Sequence, residues 1–257
     1  MQHTVLQIQH LTTGYGNHPI GHGLNATLEA GTLCALLAPN GAGKSTLLRT
    51  LAGFIPPLAG QVRWVEKDMA DITPSRLAQT VSVVLTQRRQ ADALTVREVV
   101  EMGRIPYASY WHRSTDKDRR LVERAMTLTS IRPLQHRMVD TLSDGERQRV
   151  FIAKSLAQDT PVILLDEPTA FLDFPSKVRM LRLLGRLAHE EGKAVLLSTH
   201  DVELALHMAD TLWLLHTDGI TAGSPQELAG RGLISHFFES EDIAFDIPTL
   251  RFIPRKS

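Results

Sequence analysis

A chain of 257 residues has room for one large domain, or for one domain carrying a sizeable insertion. Lys plus Arg equals Asp plus Glu at 28 each, which argues against a protein built mainly to coat nucleic acid. The single cysteine, Cys34, excludes an internal disulfide, and no run approaches the roughly 18 apolar residues of a membrane span.

The start, "MQHTVLQIQH", lacks a basic segment followed by an apolar core. The protein is therefore expected to stay where it is made and to reach a membrane only through a partner. "VLQIQH", "LNATLEA" and "TLCALLA" read as strands, with Gly-rich turns at "GYGNH" and "GHG" between them. Cys34 lies in the last of these runs and reads as a small buried hydrophobe. "GAGKSTLLRTLAGF" reads as a helix ending near Gly53, and "QVRWVE" and "TVSVVLTQ" as strands.

From about Gln87 to Gln158 the strand-like runs disappear. "TVREVVEMGR", "TDKDRRLVERAMTLTS" and "LSDGERQRVFIAKSLAQ" have helical spacing, which predicts a mostly helical insertion. Strand–helix alternation then returns. "PVILLDEP" is a continuous apolar run with Pro only at its first position, a buried strand. "PSKVRMLRLLGRLAHEE" is a helix with Val178, Leu181, Leu184 and Leu187 on one side. "KAVLLSTH" is a second buried strand, and "DTLWLLHTDG" with "ITAGS" reads as a closing hairpin. The fold expected is α/β: a mixed sheet core, an antiparallel β subdomain and an inserted helical subdomain. The expected division is a core at 1–87 and 159–223, helices at 88–158, and a tail at 224–257 to which no job is assigned.

Two stretches carry phosphate chemistry. "APNGAGKST" follows a buried strand and opens a helix, the setting of a phosphate loop. Ala38, Pro39, Asn40, Gly41, Ala42, Gly43, Lys44, Ser45 and Thr46 form it. Amides from Asn40 to Lys44 would wrap a β-phosphate, Lys44 would reach the β and γ oxygens, and Ser45 would ligate Mg²⁺. Where the usual pattern has Gly, this chain has Ala38; a positive φ there would cost about 1 kcal/mol. "VILLDEP" supplies the second half. Asp166 at the strand end would hold Mg²⁺ through water, and Glu167, pointing elsewhere in the strand's alternation, would polarise the attacking water. About a hundred residues after the loop, "TLSDGERQRV" is another helix start. Ser143 stands at the N-cap, Gly145 follows, and Glu146 takes the third helical position. Such a start also suits an anion.

"APNGAGKST", "LSDGERQR", "ILLDEPTAFLD" and "LLSTHD", in this order and spacing, resemble the nucleotide-binding subunit of ABC transporters over essentially Val5 to Gly223. The resemblance implies a P-loop NTPase that hydrolyses ATP with Mg²⁺ as a head-to-tail dimer. Each ATP would rest on one chain's loop and be capped by Ser143, Gly145 and Glu146 of the other, which gives the second phosphate-seeking helix start its use. It further implies that Tyr15 stacks on adenine, that Gln87 touches Mg²⁺ and the attacking water, with Gln90 as its competitor, that Asp173 communicates across the dimer, and that His200 contacts the γ-phosphate. The signature departs from the common LSGGQ at Asp144, expected to point away from nucleotide, and at Glu146, which can only accept hydrogen bonds. Residues 88–110, with Ile105, Tyr107 and Tyr110, followed by Trp111, would receive a cytoplasmic helix of an integral-membrane permease. "GRIP" and "FLD" look most like importers of iron–siderophore complexes, haem and cobalamin. The place implied is the cytoplasmic face of the inner membrane, peripherally, with a substrate-binding protein as indirect partner and no nucleic acid. The alternatives are an iron–sulfur cluster assembly ATPase and a regulatory nucleotide-binding module.

Overall fold

The computed structural model describes residues 3–85, 93–108, 115–238 and 242–254. The first layer is an antiparallel sheet in the order β2-β1-β4-β5, formed by β1 (Thr4–Tyr15), β2 (His18–Glu29), β4 (Ala59–Trp64) and β5 (Lys67–Asp68). "GYGNH" makes the β1–β2 turn, as expected, with Gly16 at φ 55. "GHG" does not separate two strands, which corrects the sequence reading. It lies within β2 as a bulge, where the pairing moves from Leu11↔Leu24 to Thr13↔Gly21. Gly23 takes the left-handed φ of 58, so the glycine bends a strand rather than ending it.

The second layer is a sheet in the order β10-β9-β3-β8-β7-β6. Its strands are β3 (Leu33–Leu37), β6 (Val81–Val84), β7 (Val162–Asp166), β8 (Ala194–Ser198), β9 (Thr211–Leu215) and β10 (Ile220–Gly223). All neighbours are parallel except the β9–β10 hairpin, which the sequence predicted. Every residue of β3, β7 and β8 is buried, because both faces of a parallel sheet are covered. Cys34 is fully buried, as expected, and burial pushes its thiol pKa up. Helices α1 (Lys44–Leu51) and α6 (Phe174–His189) cover this sheet. On α6, Leu181, Leu184 and Leu187 are buried while Val178 is only partly covered. The "TVSVV" strand begins one residue later than read, since Thr80 closes the short helix α2 (Pro74–Thr80).

The insertion is helical, with α3 (Val96–Glu101), a 3₁₀ stretch Met102–Tyr107, α4 (Asp116–Leu128) and α5 (Asp144–Gln158). Thr95 with Glu98, Thr115 with Asp118, and Ser143 with Glu146 form reciprocal capping boxes. "GRIP" has a local physical cause. A Cβ on Gly103 would lie 2.3 Å from the Lys154 carbonyl oxygen, so only glycine lets the backbones approach. Buried Arg104 then donates to the carbonyls of Ala157 (2.9 Å) and Gln158 (3.0 Å), which end α5, and to Asp118 Oδ1 (2.7 Å). The Thr115 hydroxyl, then Arg104, hold the Asp118 carboxyl at about 2, below its usual value of 3.8. A carboxylate depressed in the folded state stabilises above its unfolded pKa and stops doing so as pH falls through the folded one. The stability gap between wild type and Asp118→Asn, read by urea unfolding, is therefore expected to be largest above about pH 4 and to close toward pH 2. A gap that stays constant over this range would show that the Asp118 charge adds nothing.

The tail folds as α8 (Pro225–Gly230), α9 (Leu233–Phe238) and a hairpin of β11 (Ile243–Asp246) with β12 (Arg251–Pro254). It docks on α7 (Val202–Met208), where Glu203 Oε1 accepts the Phe252 N–H at 2.9 Å. Among the described residues, no helix is long and apolar enough to cross a membrane.

Candidate nucleotide site

The carboxyl ends of β3, β7 and β8 open on one edge of the parallel sheet, where α/β folds place their ligands. From β3 the chain passes through Ala38 to Gly43 and enters α1. Gly41 (φ 80) and Gly43 (φ 95) take left-handed backbones, and a Cβ on Gly43 would lie 2.7 Å from Ile20 Cγ2. Ala38 is outside the left-handed region, so the penalty envisaged for alanine there does not arise. Lys44 is buried, and its ammonium donates to the carbonyls of Ala38 (2.9 Å) and Pro39 (3.5 Å). Burial holds its pKa below the ordinary value, partly offset by the charges of Glu167 and Asp166. A buried cation, two left-handed glycines and the first turn of α1 fit a polyphosphate. Ser45 and Thr46 stand in that first turn.

Asp166 ends β7, opposite Ser198 of β8, and accepts from Ser198 Oγ at 2.7 Å. It is buried, remains within electrostatic reach of Lys44, and its carboxylate is the kind of oxygen donor a hard divalent cation takes. The next residue, Glu167, turns to φ 50. Its N–H reaches Ser198 Oγ (3.0 Å) and the Ser198 carbonyl (3.2 Å). This reversal takes the Glu167 side chain out of the strand's alternation. His200 Nε2 meets Glu167 Oε1 at 2.6 Å. A carboxylate and an imidazole are thus coupled at the mouth of the site, a pair able to take up and hold a proton.

Tyr15 is 45% exposed, and its hydroxyl accepts from Arg49 of α1 at 3.2 Å. Its side chain is thus half-exposed and tied to the loop helix. Gln87 and its competitor Gln90 lie outside the described residues. At the start of α5, Ser143 Oγ accepts from the Glu146 N–H (3.3 Å), while Glu146 Oε2 accepts from the Ser143 N–H (3.0 Å) and hydroxyl (2.9 Å). These bonds lower the Glu146 pKa and occupy one of its oxygens. Asp144 faces Arg147 at 3.6 Å. A Cβ on Gly145 would come within 3.3 Å of Leu172 and of the Phe171 carbonyl, so this glycine packs on the segment leading into α6. Asp173 caps α6 by accepting from the Ser176 N–H at 2.9 Å, which lowers its pKa. Among the described residues, no hydrogen bond or ion pair joins Ser143, Gly145 or Glu146 to the loop at 38–46 of the same chain. Sequence reasoning missed Ser198, whose place opposite Asp166 follows only from strand order, and Arg49, which faces Tyr15 across two layers.

A glycine loop, a buried aspartate and a carboxylate–imidazole pair at the ends of parallel strands define a phosphate-loop nucleotide hydrolase. The fold agrees. An ABC transporter solved in an inward-facing conformation superposes with a TM-score of 0.79 at 26% identity, covering 99% of this chain and 98% of that one. A dimeric bacterial ABC transporter cassette gives 0.77 at 25% identity, over 86% and 98%. The ABC transporter family pattern matches residues 22–170, and the chain belongs to that family. It is 35% identical to the achromobactin transport ATP-binding protein CbrD of Dickeya dadantii, over 91% of this chain and 88% of that protein. It is likewise 35% identical to the ferric enterobactin transport ATP-binding protein FepC of Escherichia coli, over 95% and 90%. The chain is an ATPase that binds nucleotide.

Proposed function

We propose that this chain is the ATP-hydrolysing subunit of an importer for an iron–siderophore complex or a related metal chelate such as haem or cobalamin. The Glu167–His200 contact at 2.6 Å, set beside the Lys44 loop, carries the hydrolytic part. The names of the two relatives, which speak of achromobactin and ferric enterobactin transport, support an iron–siderophore cargo and favour a transporter over a cofactor-assembly ATPase.

The loop amides and Lys44 bind the β- and γ-phosphates, with the Lys44 ammonium leaving the Ala38 and Pro39 carbonyls for phosphate oxygens. Tyr15 stacks on adenine. Ser45, Gln87 and Asp166 would hold Mg²⁺, whose charge would neutralise the phosphate oxygens. Glu167 accepts the proton of the attacking water, and His200 orients that carboxylate and reaches the γ-phosphate. Ser143, Gly145 and Glu146 serve the nucleotide held by a second copy, and Asp173 lies at that junction. The likeness to a dimeric cassette supports this arrangement. The chain is proposed to sit peripherally on the cytoplasmic face of the inner membrane, beneath permease subunits fed by a substrate-binding protein. A cleft of about 840 Å³ between core and insertion suits a permease helix. Phe54, Ile72, Leu77, Leu85, Phe151 and Lys154 line it, and Ile105 and Tyr107 are exposed on the insertion. Tyr110 and Trp111 lie outside the described residues.

The test is reconstitution in vesicles with the membrane protein that co-purifies. ATP-dependent accumulation of radiolabelled ferric siderophore, haem or cobalamin is expected. Hydrolysis with none of the three cargoes moved, or co-purification with sulfur-mobilising proteins alone, would overturn the importer reading.

A further inference from the structure

Asp201 stands at the N-cap of α7, immediately after His200, but its side chain makes no capping hydrogen bond there. Aspartate at an N-cap ordinarily accepts an amide of the first turn. Here both carboxylate oxygens are engaged elsewhere. Oδ1 accepts from Lys177 Nζ at 3.0 Å, and Oδ2 accepts from the buried Thr169 hydroxyl at 3.2 Å. The side chains of Lys177 and Asp201 are only 22% and 31% exposed, so water screens this pair less than a surface pair. The Asp201 N–H is also fixed, donating to Thr199 Oγ1 at 3.0 Å. The residue that follows His200 is therefore held by α6 on one oxygen and by the loop after Glu167 on the other.

Lys177 sits one turn into α6, with its N–H on the Asp173 carbonyl at 2.9 Å. Asp173 caps that helix, and the segment just before it packs on Gly145 at the start of α5. A continuous set of contacts thus runs from the α5 start through α6 to the His200 loop within one chain.

We propose that Lys177 is a positioning residue which, through Asp201, holds His200 against Glu167 and ties that alignment to the seating of the segment at Gly145. This rests on the hydrolytic role given above to the Glu167–His200 pair. Movement of the α5 start would shift the first turn of α6, and Lys177 would pull on Asp201 and so on the loop that aims the imidazole. Coupling along this path is read energetically.

Steady-state ATP hydrolysis should be compared in wild type, Lys177→Met, Lys177→Arg, Asp201→Asn and the double variant Lys177→Met/Asp201→Asn, each checked for folding by thermal unfolding. Lys177→Met is expected to lower kcat about tenfold while the KM for ATP stays within about twofold, because the loss falls on alignment and not on binding. Lys177→Arg should recover most of the loss, since it restores a cation beside Asp201. The double variant should be no slower than Asp201→Asn alone, since the two act as one unit. Four results would each overturn the inference: kcat unchanged in a folded Lys177→Met, no recovery in Lys177→Arg, losses that multiply in the double variant, or a loss that tracks the unfolded fraction. A wild type that does not hydrolyse ATP overturns the proposed function and this inference together. A working wild type indifferent to Lys177→Met overturns only the inference.

Discussion

Glu167→Gln should cut steady-state ATP hydrolysis by about a thousandfold while leaving ATP binding intact. The size follows from general-base catalysis, which contributes about 10²–10⁴-fold. Gln keeps nearly the same shape and an oxygen that can face His200 Nε2, now 2.6 Å from Glu167 Oε1, but it cannot take a proton from water. Binding should survive because the phosphate contacts proposed for Lys44 and the loop amides do not pass through Glu167. Removing a negative charge beside the γ-phosphate should also prolong the ATP-bound dimer. Turnover is read by phosphate release, and association by gel filtration in ATP. A variant that hydrolyses within twofold of wild type would remove Glu167 from the mechanism, and a wild type that never hydrolyses would favour the regulatory-module alternative.

The second large effect concerns pocket assembly. Lys44→Ala and Ser143→Arg should each abolish activity alone, because every pocket of either homodimer lacks one half. Mixed in equal amounts, they should recover up to about a quarter of wild-type activity, since half of randomly assorted dimers are mixed and each of those holds one intact pocket of two. The structure motivates this test. The α5 start makes no hydrogen bond or ion pair to its own phosphate loop among the described residues, and its capping box is closed by Ser143 and Glu146. Failure of the mixture to recover any activity, or full activity from a monomer at high dilution, would refute the shared pocket.

Much of the fold was legible because local rules and tertiary demand agree. The uninterrupted apolar runs of β3, β7 and β8 read as buried parallel strands, and they are. Ser143 and Glu146 read as a cap, and they form one. The GHG segment was misread because glycine marks both turns and bulges, and only pairing with β1 decides between them. The tail resisted assignment because its strands are four residues long and its contacts with α7 are remote in sequence, as between Phe252 and Glu203. Within the site, loop and strand-end residues could be named from spacing. The engagement of Asp201 by Lys177 and Thr169 could not, because the three residues meet only once β7, α6 and β8 are packed.

Glu167 occupies a left-handed backbone at φ 50, a conformation that disfavours any residue with a Cβ by about 1 kcal/mol relative to glycine. Sequence drift at this position thus faces opposed pressures. With Glu167 as the proposed base, the replacement that most relaxes the polypeptide would also silence the enzyme, so thermal robustness and turnover would compete at a single codon. A screen that selected variants of this chain for heat resistance alone would reward the removal of the base proposed for it.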